Sequence, residues 1–115
     1  DGMNALYERF QNADVIAFAT PVYYYAVSGQ LKTFLDRLNP LYPRANRFKE
    51  VYLLATAAED AESAMDGSVK DIQGWIDCFD GVSLKGVLRA TGVTDKGDVN
   101  NTDFPAQAFE MGKNV

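Results

Sequence analysis

The 115-residue chain has no histidine and a single cysteine, Cys78. The first absence removes an imidazole general base, the Ser-His-Asp and Cys-His arrangements, and zinc or iron sites that depend on imidazole. The second removes an internal disulfide and any metal centre built on paired cysteines. Cations are also outnumbered: 11 Lys and Arg against 16 Asp and Glu give a formal net charge of -5. A nucleic-acid or anionic-membrane surface would have to form against that overall field. No run of about 18 apolar residues occurs, so a soluble, cytoplasmic protein is expected. The chain opens at Asp1 without a charged-then-apolar leader, and residues upstream are expected. What is present, 47% hydrophobic and 23% charged residues, suits one domain with a core. No catalytic side chain and no metal-ligand set stands out, so the chemistry is expected to come from a borrowed cofactor.

Along the chain, apolar spacing alternates between helical and strand-like. Met3, Leu6, Tyr7 and Phe10 share one helix face, ending near Asn12. Val15 to Ala19 is a short apolar run that reads as a strand covered on both faces. Ser28 is a candidate N-cap for a helix carrying Leu31, Phe34, Leu35 and Leu38, stopped by Asn39-Pro40. Leu41 to Phe48, with Pro43 inside and Pro40 just before, reads as an exposed connection. Val51 to Ala55 is a second apolar strand. From about Asp60 to Asp80, Met65, Val69, Ile72, Ile76 and Phe79 form a stripe, with Gly81 as a left-handed stop. Gly67 and Gly74 each weaken that helix by about 1 kcal/mol relative to alanine, so either Gly67 delays its start or backbone packs closely there. Lys85 to Val93 is a third strand, and a last helix places Phe104, Ala108, Met111 and Val115 on one face. Strict alternation of this kind predicts an open parallel α/β sheet.

Ligands of such sheets bind beyond the carboxyl ends of the strands. The loop after Ala19 runs Thr20-Pro21-Val22-Tyr23-Tyr24-Tyr25, and the loop after Ala55 runs Thr56-Ala57-Ala58. Three consecutive tyrosines offer planar apolar faces and phenol hydrogen bonds, which suit a flat aromatic ligand. They would equally suit a sheet-end cover or an oligomer contact.

Thr20-Pro21-Val22-Tyr23-Tyr24, Val27-Ser28-Gly29-Gln30-Leu31-Lys32 and Phe34-Leu35-Asp36-Arg37, in that order after a strand, resemble the flavodoxin-like NADPH-dependent FMN reductase family, including its iron-sulfur flavoproteins. The resemblance continues through Leu53 to Ala58, Gln73 to Cys78 and Thr91 to Val93. It implies a three-layer α/β/α fold, FMN as cofactor, NAD(P)H as co-substrate, and hydride or electron transfer to a flavin, quinone or similar acceptor. Thr20, Pro21, Val22, Tyr23, Tyr24, Thr56 and Ala57 are the cofactor-binding positions it implies. Hydride transfer through a flavin needs no histidine.

One departure from the family matters. Its phosphate-binding loop, after the first strand and at a helix N-terminus, has no counterpart here. Residues 1–115 therefore resemble the C-terminal portion of one domain, starting before the third strand, with roughly 60 residues, two βαβ units, preceding it. Weak flavin retention is expected, and so is a Val15 to Ala19 edge that pairs with the remaining half or with a second copy. A flavodoxin-type electron carrier without turnover is the alternative, and a purely structural role is a lesser one. A receiver-type domain fails because Thr20 stands where its phosphoacceptor Asp would be. Lys32, Asp36 and Arg37 read as a solvated helix face. Arg44, Arg47 and Lys49 could meet NADPH phosphates but read more simply as an exposed loop. Cys78 reads as a packing residue at least half buried, Trp75 as core or interface, and Asp95, Asp98 and Asp103 as turn formers.

Overall fold

A computed structural model describes residues 1–115 as four α-helices alternating with three strands: α1 (Met3–Asn12), β1 (Val15–Pro21), α2 (Gly29–Arg37), β2 (Glu50–Thr56), α3 (Asp66–Ile76), β3 (Ser83–Ala90) and α4 (Phe104–Lys113). The strands are parallel in the order β1-β2-β3, with Phe18 opposite Leu53 and Leu53 opposite Val87. Successive side chains of a strand point to opposite faces. Ile16, Phe18, Val51 and Leu53 thus form one apolar face, which packs with Leu35, Leu38, Ile72 and Ile76 into the main core. On the other face α4 lies over β3, where the Met111 side chain approaches the sheet near Gly86 and Tyr52. The expected α/β/α layering is present.

Local chemistry explains the helix boundaries. The Ser28 hydroxyl accepts from the Leu31 N–H at 3.2 Å, the predicted N-cap of α2. Asn39–Leu41 forms a 3-10 turn after that helix, and Gly81 adopts φ +73° beyond α3. A second 3-10 turn, Glu62–Met65, precedes α3, so the stripe read as one helix from about residue 60 is two segments. Gly67 lies in the first turn of α3, against backbone. The third strand ends at Ala90, short of the expected Val93, because the chain turns at Gly92 with φ +67°.

Four further expectations are corrected. Leu41 and Phe48, placed in an exposed connection, are both fully buried. Phe48 stacks on Trp75 at 5.8 Å between centroids and meets Phe79 edge-on at 5.4 Å. The aromatic pairing a lone connection cannot supply comes from a helix about 30 residues away. β1 is covered on one face only, since Ala17 and Ala19 are exposed where α4 does not reach. Cys78 is exposed, its Sγ 3.5 Å from the Gly74 carbonyl, because it lies in the turn beyond α3, two residues past Ile76, where the stripe has ended. Val115 lies past the end of α4 and is exposed.

Candidate functional site

The carboxyl ends of the three strands are laced together by main-chain bonds. Pro21 is the last β1 residue in register with Thr56, and the Val22 N–H donates to the Thr56 carbonyl at 2.8 Å. The Ala57 N–H donates to the Ala90 carbonyl at 2.9 Å, the Val93 N–H returns to the Ala57 carbonyl at 3.0 Å, and the Gly92 N–H reaches the Glu59 carbonyl at 2.9 Å. Sequence positions 20–25, 56–59 and 90–93 therefore form one rim.

Tyr23 and Ala26 exchange N–H and carbonyl bonds, each 3.2 Å, around a two-residue turn. Its central residues, Tyr24 and Tyr25, have φ +50° and +63°. Positive φ at both centres is the geometry that glycine and asparagine normally supply. A tyrosine there costs of order 1–3 kcal/mol and persists only when the surroundings fix it. Two side-chain contacts do so: the Tyr25 phenol donates to a Glu59 carboxylate oxygen, and the Asp71 carboxylate accepts from the Val27 N–H at 3.2 Å. Bonding to Glu59 and the repulsion of its negative charge both raise the Tyr25 pKa above 10.0. Tyr24 stands 99% exposed beyond the turn.

The structure brings all seven sequence-predicted positions to this rim, with different parts facing outward. Thr20 is buried, its hydroxyl donating to the Pro21 carbonyl at 2.8 Å and accepting from the Ser28 N–H at 3.0 Å. It fixes the loop from beneath. Pro21 and Thr56 border an open apolar hollow of about 450 Å³ that continues over Leu54, Leu88 and Ala90 to Phe104. Val22, Tyr24 and Ala57, joined by Tyr25, Ala58 and Glu59, line a second hollow of about 210 Å³. Tyr23 is exposed beside them. The amide N–H groups of Tyr24, Tyr25, Ala58 and Glu59, four residues that line this hollow, bond to nothing within the chain. Glu59 and Asp71 were not legible as site residues, because each acts on the turn from 34 to 44 positions away.

Other charged groups lie elsewhere or are engaged. Arg44, Arg47 and Lys49 precede β2, whose seven residues span about 20 Å, and so sit at the opposite end of the sheet from the rim. Arg47 pairs with Asp14 at 2.6 Å, and Arg44 lies over the Tyr7 ring at 5.6 Å. The reading of this cluster as a nicotinamide-phosphate contact does not match its position. Lys32 pairs with Asp36 at 2.6 Å and Arg37 with Asp1, on an exposed helix face. Asp98 accepts from the N–H groups of Asp95 and Thr94, which holds its carboxyl below the ordinary range, as a turn former does. No helix is long and apolar enough to cross a membrane.

Residues 1–85 match the family model described as NADPH-dependent FMN reductase. A Bacillus subtilis (strain 168) protein provisionally named NAD(P)H-dependent FMN-containing oxidoreductase YwqN is 26% identical over 100 residues, covering 80% of this chain and 55% of its own length. The chain thus spans just over half the length of that relative. Among solved structures, the Trp repressor binding protein from Bacillus subtilis superposes with TM-score 0.73 at 24% identity, over 93% of this chain and 70% of its own. The NAD(P)H:quinone oxidoreductase from Methanothermobacter marburgensis does so with TM-score 0.67 at 20% identity, over 98% and 61%. Both likenesses concern the fold.

Proposed function

Because the chain belongs to the NADPH-dependent FMN reductase family, we propose that its rim holds the isoalloxazine of FMN. The oxidoreductase so formed passes hydride or electrons from a reduced nicotinamide to a flavin, quinone or similar acceptor. The observation that carries this reading is that four residues with unengaged main-chain donors and an exposed tyrosine line one hollow together with the small residues Ala57 and Ala58. A flat heterocycle with acceptor atoms along one edge fits that combination. FMN supplies the redox chemistry when bound, since hydride transfer is a property of the flavin and not of the protein's side chains. In this reading Pro21, Val22, Tyr23 and Tyr24 lie along one side of the ring and Thr56 and Ala57 approach the other, with Thr20 fixing the loop through its buried hydroxyl. The names of the YwqN relative and of the quinone oxidoreductase support the cofactor and the acceptor class. A cytoplasmic location fits use of a reduced nicotinamide.

The residues of the rim address the ring and supply no phosphate cradle. Riboflavin and FMN are therefore expected to bind this chain with affinities within about threefold of each other, both weakly, as read from flavin fluorescence titrations. A preference for FMN of a hundredfold, equivalent to roughly 2.7 kcal/mol, would place a phosphate site among these residues and contradict the reading. Nicotinamide oxidation by the whole protein with FMN separates a reductase from an electron carrier without turnover.

A further inference from the structure

We propose that Gly67 is the positioning residue of the tyrosine turn: its bare Cα is the seat on which the Tyr25 carbonyl rests. A Cβ at Gly67 would stand 1.9 Å from the Tyr25 carbonyl oxygen and 3.1 Å from its carbon. Both atoms are main chain, so no side-chain rotation relieves the overlap. Close carbon–oxygen contacts lie at roughly 3.3–3.6 Å, and an added methyl group must therefore push the turn outward by about 1 Å or more. The turn has little freedom to accommodate this. Its left-handed residues are held from the side by Glu59 and at the foot by Asp71, one helical turn beyond Gly67 on α3. The seat and the Asp71 brace thus come from a single helix, which ties the position of Tyr24 to the packing of α3 against the sheet, with Glu59 holding the turn from the neighbouring loop.

The sequence contains its own control. Gly74 lies on the same helix, and a Cβ there would meet nothing within 4 Å. Gly74 lies in the helix interior and costs it about 1 kcal/mol relative to alanine, but only Gly67, in the first turn, meets the tyrosine turn. The consequence for binding rests on the flavin reading above, whereas the seat itself does not.

The test compares Gly67→Ala with Gly74→Ala in the full chain by amide NMR and by FMN titration. Gly67→Ala is expected to shift the amide signals of residues 22–27 and to weaken FMN binding at least tenfold. Gly74→Ala is expected to leave both unchanged. Turn signals that stay in place in Gly67→Ala overturn the seat. Displaced signals with unaltered FMN affinity support the seat and overturn the flavin reading. Should Gly67→Ala not fold, the double variant Gly67→Ala/Tyr25→Gly decides, because glycine at 25 lets the carbonyl swing aside. Recovery of the fold supports the seat, and a double variant as unfolded as the single one overturns it.

Discussion

The Tyr25 phenol and the Glu59 carboxylate show how one hydrogen bond can link stability to pH. The folded chain holds the Tyr25 proton more tightly than the unfolded chain does. The stabilisation is therefore present below the ordinary tyrosine pKa of 10.0 and is lost as pH rises through the higher folded value. Glu59→Gln removes the negative charge, and the tyrosine absorbance titration is expected to lose its late-titrating phenol. An unchanged titration would show that Glu59 does not hold this proton. Ser68 presents the opposite case. Its side chain is fully buried in α3 and its hydroxyl has no partner. A buried unpaired hydroxyl is a cost, so Ser68→Ala is expected to be neutral or stabilising by up to about 1 kcal/mol in urea denaturation. A loss of stability would reveal a bond the hydroxyl makes.

Among the elements, the alternation of helices and strands was legible because the helices carry a one-faced apolar spacing and the strands are short apolar runs, and the Ser28 cap and Gly81 stop act within a few residues. Leu41 to Phe48 was not, because local composition describes a loop while its burial is decided by Trp75 and Phe79. Phe48→Ala is accordingly expected to destabilise by about 3–5 kcal/mol, the range for a buried aromatic. A cost below about 1 kcal/mol would return the segment to the surface. The same division applies to the rim. Its loops could be placed from strand ends alone, but the left-handed turn, its Glu59 and Asp71 braces and its Gly67 seat arise from contacts distant in sequence.

For the molecule as a whole, β1 is an edge strand whose Ala17 and Ala19 also leave one face open. Unpaired edges beside apolar surface favour association. Light scattering is expected to find this chain self-associated at micromolar concentration, and Ala17→Lys to shift it toward monomer; a parent chain that is already monomeric would contradict this. The rim has a different consequence. Its strand ends are knitted by main-chain groups at Val22, Thr56, Ala57, Ala90 and Val93, and the braces of its turn come from Tyr25, Glu59 and Asp71, so no bond of the frame passes through the Tyr24 side chain. The exposed ring at Tyr24 can therefore be exchanged while the scaffold stays fixed, which makes the chemistry displayed at this rim open to change by single substitutions, independently of the fold.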